Sequence, residues 1–108
     1  FESGLKDIIG KIKEAGGRVV LCTPTVIGEK TKGGNKLDAQ LDEYAAVSRM
    51  VAQETGSQLC DLRKAFVDHL ATNNKDDAEK GVLTGDRVHL NDAGNKLVAD
   101  TILAVIDR

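Results

Sequence analysis

Asp86 and His89 are the two residues of this 108-residue chain whose types and spacing are best suited to catalysis. They stand three positions apart, about one turn of backbone, so the carboxylate can accept a hydrogen bond from the imidazole. Such a bond fixes the tautomer of the ring and stabilises the imidazolium that forms when the other nitrogen takes a proton from a serine hydroxyl. We therefore interpret the pair as half of a charge-relay arrangement.

The sequence around the pair favours this interpretation over a structural one, in which Asp86 is a turn residue and His89 begins a helix. The pair follows a polar loop and precedes Asn91 and Asp92, which can cap a helix, and then Gly94. It also comes at the end of a chain in which strands and helices alternate. Catalytic residues often lie on loops that such a scaffold holds in place.

The elements that would position this pair are predicted from hydrophobic periodicity and from glycine and proline positions. They are a helix over 3–15, a strand over 18–23, a loop over 25–36, a helix over 37–55, a strand over 58–62, a helix over 63–72, a polar loop over 73–80 and a last helix from 90 or 91 onward. Strands separated by helices are typical of a parallel sheet between layers of helices. We therefore predict an α/β fold with parallel strands.

The strand predicted over 18–23 is a continuous apolar run, which predicts burial on both of its faces. A parallel sheet of two strands is an unusual end product, so we expect that further strands come from a missing segment or from a second copy. Cys22 and Cys60 lie in the two predicted strands without the CxxC spacing of a metal site. We predict two buried free thiols, and a disulfide between them is the alternative.

Residues 85–94 resemble the last block of the SGNH (GDSL-type) hydrolases, which is Asp-x-x-His-Leu or Asp-x-x-His-Pro followed by a helix opening and glycine. Residues 19–24 are similar to the strand that precedes the substrate-side loop of that family, and residues 60–62 to its next strand. The resemblance covers nearly the whole chain. It implies that residues 1–108 are the C-terminal part of a single domain with a three-layer α/β/α, flavodoxin-like fold.

The resemblance implies the hydrolysis of carboxylic esters by a Ser-His-Asp triad, with Asp86 and His89 as two of its members. It implies no metal and no cofactor, and a small ester, an acylated sugar or a lipid as substrate. We assign Thr25 and Val26, which follow the first strand, and Val88, within the motif, as candidate substrate contacts.

The serine of the triad has no match in this chain. The Gly-Asp-Ser block of the family and its Gly and Gly-x-Asn-Asp blocks, which supply oxyanion-hole donors, are not found in the sequence. Ser3, Ser48 and Ser57 lie in or beside predicted helices, so we do not assign any of them as the nucleophile. We expect the serine in an N-terminal segment absent from this chain, and an inactive chain without it.

Charge and composition exclude several other classes of protein. The 15 Lys and Arg are scattered among 17 Asp and Glu, and the three aromatic residues are too few for base stacking, so we expect no nucleic-acid partner. No apolar run approaches the ~18 residues that a membrane span needs. The compartment stays open, including a secreted or periplasmic location.

Two further interpretations remain at this point. The chain could be a non-catalytic unit that self-associates, or that binds the missing N-terminal segment, through an unpaired edge of its sheet. It could also be a flavodoxin-like ligand-binding domain, but the glycine-rich stretch over 30–35 lacks the Gly-Lys-Ser/Thr ending of a phosphate loop. His69 is assigned a structural role, and with His89 it would supply too few ligands for zinc.

Overall fold

A computed structural model describes residues 1–107 and contains four helices and two strands in that range. In chain order these elements are α1 (Glu2–Glu14), β1 (Val20–Cys22), α2 (Asp38–Thr55), β2 (Gln58–Cys60), α3 (Leu62–Asn73) and α4 (Asp92–Ile106). The predicted alternation of helix and strand is therefore confirmed. None of the helices in this range combines the length and the apolar character that crossing a membrane requires.

The two strands form a parallel pair in which Val20 lies opposite Gln58 and Cys22 lies opposite Cys60. Helix α2 makes the crossover between them and packs against both strands, while α4 packs against β2 and α3. Helix α1 lies against α2. This arrangement confirms the predicted α/β class with parallel strands.

Two buried clusters hold the elements together. The first unites Val26, Phe66, Leu70 and Leu83, and the second unites Cys60, Leu62 and Val105. Val26 follows β1 and Leu83 precedes the Asp86–His89 segment, so the first cluster fixes both loops to the face of α3. The core therefore supports the region where the sequence predicts chemistry.

The prediction that the strand over 18–23 is buried on both faces is wrong. Val20 and Leu21 are half-buried and Cys22 is exposed. The physical reason is that β1 pairs only with β2 within residues 1–107, so its other edge is open to solvent.

The prediction for the cysteines is half correct. Both thiols are free, but only Cys60 is buried, whereas Cys22 is exposed. Burial, and after it the neighbouring Cys22 thiol, raises the pKa of Cys60 to about 11. The Cys60 thiol therefore stays protonated at neutral pH.

Candidate active site

The segment that carries Asp86 and His89 is a closed loop between the core and α4. Thr84 and Leu90 form an isolated antiparallel bridge, and the N–H of Gly85 donates to the carbonyl of His89 at 2.9 Å. These bonds bring the two ends of the loop together. Asp86 and His89 are thus presented on a short, constrained turn.

The carboxylate of Asp86 organises this turn with both of its oxygens. Its Oδ1 accepts hydrogen bonds from the backbone N–H of Val88 at 3.0 Å and of His89 at 2.7 Å. Its Oδ2 accepts from Nδ1 of His89 at 2.6 Å. The hydrogen bond expected from the spacing of the two residues is therefore present in the structure.

Both members of the pair are open to solvent. The Asp86 side chain is 57% exposed and that of His89 is 85% exposed. The hydrogen bond from the His89 ring, followed by the backbone N–H groups of His89 and Val88, holds the pKa of Asp86 well below its ordinary value. An ionised Asp86 keeps the proton of His89 on Nδ1, and Nε2 has no hydrogen-bond partner among the residues described.

Glu29 anchors the start of this loop to the core. Its side chain is fully buried, and its carboxylate accepts hydrogen bonds from the N–H of Leu83 at 2.7 Å, the N–H of Thr84 at 3.3 Å and Oγ1 of Thr84 at 2.5 Å. Thr84 Oγ1 also accepts from the N–H of Arg87 at 3.1 Å. A chain of bonds therefore runs from Glu29 into the turn that holds Asp86 and His89.

The loop that follows β1 is joined to the same turn by its backbone. The N–H of Gly28 donates to the carbonyl of Arg87 at 2.8 Å. The buried side chain of Asn74 donates to the carbonyl of Glu29 at 2.7 Å. Because β1 ends at this loop, the candidate pair lies on the side of the protein toward which the carboxyl end of β1 points, where α/β proteins usually bind ligands.

Arg63 fixes the other end of the loop after β1. Its side chain is buried, and its guanidinium donates to the carbonyl of Thr25 at 2.8 Å while pairing with Asp38 at 3.0 Å and Asp42 at 2.9 Å. The backbone N–H of Arg63 donates to Oγ1 of Thr23 at 2.8 Å. Burial of a cation is tolerated here because every interaction is charge-assisted.

Helix α4 begins directly behind the site. The side chain of Asn91 caps it by accepting from the N–H of Gly94 at 2.9 Å, and the N–H of Asn91 donates to the carbonyl of Leu83 at 3.0 Å. A Cβ atom on Gly94 would collide with that same Leu83 carbonyl oxygen. The absence of a side chain at Gly94 therefore lets α4 lie against the loop.

The three candidate substrate contacts lie in different surroundings. Val88 is 47% exposed and lines a cavity beside the candidate pair. The side chain of Val26 packs into the first core cluster, and the carbonyl of Thr25 is bound by Arg63. Neither Thr25 nor Val26 lines the cavity next to Val88.

The three serines of the chain lie on segments other than the turn that carries His89. Ser3 is exposed on α1, Ser48 is buried in α2, and Ser57 shares a hydrogen bond with Thr55 just before β2. Among residues 1–107, no serine hydroxyl forms a hydrogen bond with the imidazole of His89.

Sequence reasoning missed Glu29 and Arg63. Glu29 lies in a stretch without periodicity, and Arg63 lies on an amphipathic helix among other charged residues. One signal was available for Glu29, since it stands between the apolar Val26-Ile27 pair and the flexible basic stretch. That signal is too weak to distinguish a buried carboxylate from a solvated one.

Comparison with known proteins identifies the family of this chain. The family model described as the GDSL-like Lipase/Acylhydrolase family matches residues 1–97. The acetylxylan esterase of Geobacillus stearothermophilus is 29% identical over 109 residues, which cover 98% of this chain and 45% of that protein. This chain therefore spans about half the length of the curated relative it matches.

Solved structures of acetylxylan esterases also resemble this chain. An acetyl xylan esterase, AlAXEase, superposes with a TM-score of 0.94 at 38% identity over 97% of this chain and 53% of its own. Axe2, an acetylxylan esterase from Geobacillus stearothermophilus, superposes with a TM-score of 0.83 at 27% identity over 100% of this chain and 46% of its own. Catalytic mutants of Axe2 replace a serine, an aspartate and a histidine by alanine, the last two standing three positions apart.

Proposed function

Because the chain belongs to the GDSL-like Lipase/Acylhydrolase family, we propose that it supplies the acid and the base of an enzyme that hydrolyses carboxylic esters. The observation that carries the proposal is the 2.6 Å hydrogen bond between Nδ1 of His89 and Oδ2 of Asp86 on a turn that leaves Nε2 accessible. In Axe2 the aspartate and histidine replaced in catalytic mutants have the same spacing as Asp86 and His89.

His89 would act first as general base and then as general acid. Its Nε2 takes the proton from a serine hydroxyl while the serine oxygen attacks the ester carbonyl carbon. The imidazolium is stabilised by ionised Asp86, and it then gives its proton to the departing alcohol oxygen. In the second half, Nε2 takes a proton from water, whose oxygen attacks the acyl carbon of the acyl-enzyme. The bond from that carbon to the serine oxygen then breaks, and the imidazolium returns its proton to the serine oxygen, which releases the carboxylic acid and restores the serine.

The nucleophile of this mechanism would lie outside the present chain. Support comes from the serines of residues 1–107, none of which hydrogen-bonds to His89, and from the relatives, which are about twice as long. The oxyanion-hole donors would also come from that additional segment. We therefore expect residues 1–108 alone to be inactive toward esters.

The substrate class we propose is an acetyl ester of a saccharide. The names of the relatives support it, since they are acetylxylan esterases.

The test uses the full-length natural protein that carries this chain and p-nitrophenyl acetate as substrate. We expect His89→Ala to lower kcat/KM by about 10^4- to 10^6-fold, because the general base is lost. The matched control is His69→Ala, which removes the other histidine, half-buried on α3, and should leave kcat/KM close to that of the unmodified protein. Activity retained in His89→Ala would rule out the proposed role.

A second candidate function is a non-catalytic unit that associates through β1. It is favoured by the open edge of that strand and by the exposure of Cys22 at its end. A non-catalytic unit would not contribute His89 to ester hydrolysis. The comparison of His89→Ala with His69→Ala therefore separates the two functions.

A further inference from the structure

A cavity of about 560 Å³ opens beside the candidate catalytic turn. One of its walls is the loop after β1, with Lys30, Asn35 and Lys36, and the other is Arg87 and Val88 of the turn itself. Arg87 and Val88 stand between Asp86 and His89 in the turn, so the cavity adjoins the turn, although the candidate pair itself does not line it. A volume of this size suits a small ligand or a short saccharide and is much larger than an acetyl group needs.

The lining of this cavity is positively charged. It contains Lys30, Lys36 and Arg87 against a single carboxylate, Glu79. Within residues 1–107, none of the three cations forms an ion pair, and neither does Glu79. Lysines on the exposed helix faces do pair with a carboxylate four positions away, as Lys64 does with Asp68. Asp77, which does not line the cavity, lies close enough to Lys30 to offset part of its charge. The uncompensated positive charge of the cavity therefore comes mainly from Lys36 and Arg87, on a protein of net charge −2.

The walls of the cavity are held in place before any ligand binds. The side chain of Asn35 closes its loop, since Oδ1 accepts from the N–H of Lys30 at 3.1 Å and Nδ2 donates to the carbonyl of Lys30 at 2.8 Å. The bond from Gly28 N–H to the Arg87 carbonyl joins the two walls at 2.8 Å. A Cβ atom on Gly28 would collide with the Asn35 amide, so glycine is required there. A preformed site of this kind avoids the entropy cost of ordering a loop on binding.

We propose that this cavity binds a carboxylate on the alcohol part of the ester, as found on a saccharide that contains a sugar acid. The inference rests on the proposed function, because it places the alcohol part beside His89. Arg87 offers the planar fork of donors that matches a carboxylate, and Lys36 adds a second positive charge. The enzyme would then prefer acetylated acidic saccharides to neutral ones.

The test measures binding separately from hydrolysis, in the full-length protein. Isothermal titration compares glucuronosyl-xylotriose with xylotriose, which lacks the carboxylate. We expect the acidic saccharide to bind about tenfold more tightly, the size expected of two solvent-exposed charge contacts, and the preference to shrink as salt is added. Arg87→Gln and Lys36→Gln should each reduce the preference. The control Lys75→Gln removes an exposed, unpaired lysine outside the cavity and should leave the preference intact.

Equal affinity for the two saccharides, or a preference that both cavity variants leave unchanged, would overturn the proposal. Tighter binding of glucose 6-phosphate than of glucuronate would also overturn it, because the site would then be one for phosphate. The two proposals fail separately. Binding preference without ester hydrolysis removes the proposed function alone, whereas hydrolysis of neutral and acidic acetyl esters without any binding preference removes this inference alone.

Discussion

At the scale of single residues, buried polar groups determine where the candidate pair lies. Asp86 and His89 are exposed, so packing does not fix them; hydrogen bonds within the turn do. The start of that turn is held by Glu29, whose buried carboxylate accepts hydrogen bonds from two backbone N–H groups and one hydroxyl. Removing the charge of Glu29 should therefore affect a site that Glu29 does not touch.

Glu29→Gln tests this positioning role. Glutamine keeps the size of the side chain but turns an NH₂ group toward donors that need an acceptor, so we expect the free energy of unfolding to fall by about 2 kcal/mol. We also expect kcat of the full-length protein to fall by a larger factor than KM changes, because the turn that holds Asp86 and His89 would shift from its position. Thermal unfolding and steady-state kinetics measure the two effects.

Glu43→Gln is the matched control for this substitution, since Glu43 is exposed on α2. It should change the unfolding free energy by no more than about 0.5 kcal/mol. A Glu29→Gln protein as stable and as active as this control would show that the buried carboxylate has no positioning role.

At the scale of elements, the close approach of α4 to the loop before it sets the geometry behind the pair. The carbonyl of Leu83 accepts from the N–H of Asn91 and also lies where a Cβ atom of residue 94 would be. Leu83 is fully buried, so it has little freedom to move away.

Gly94→Ala is expected to destabilise the protein for this reason. Overpacking against a fixed backbone carbonyl should cost about 1–3 kcal/mol, more than the gain in helix propensity from alanine. The control is Gly10→Ala in α1, where a Cβ atom meets nothing within 4 Å and stability should rise by up to about 1 kcal/mol. Chemical denaturation of both variants decides the point, and a Gly94→Ala protein that gains stability as Gly10→Ala does would contradict it.

The sequence predicted these elements well because their signals are local. Helix and strand bounds agree with the structure to within two residues, and the cap at Asn91 is present as expected. The predicted burial of β1 failed because burial depends on which strand lies next to it, which periodicity within one strand cannot reveal. Glu29 was missed for the same reason, since its partners Leu83 and Thr84 lie more than fifty positions away.

At the scale of the whole molecule, residues 1–107 are more extended than a typical domain of their size. The radius of gyration is 14.9 Å, against about 13 Å for a compact domain of about 100 residues. Large apolar side chains also remain exposed at several places, among them Phe1 at 62% and Ile8 at 57%. Together with the open edge of β1, this surface is suited to burial against further polypeptide.

We therefore expect residues 1–108, prepared alone, to associate as their concentration rises. The driving forces are the unpaired backbone groups of β1 and the apolar area around it. Light scattering coupled to size-exclusion chromatography, from micromolar to millimolar concentration, measures the mass of the particles. Cys22→Lys places a charge at the exposed end of the open strand and should shift association to higher concentration, whereas Ala99→Lys adds the same charge on the exposed face of α4 and should not. A monomer at every concentration would show that the open edge of β1 is protected by its own short length and twist, and the self-associating alternative would then have no support.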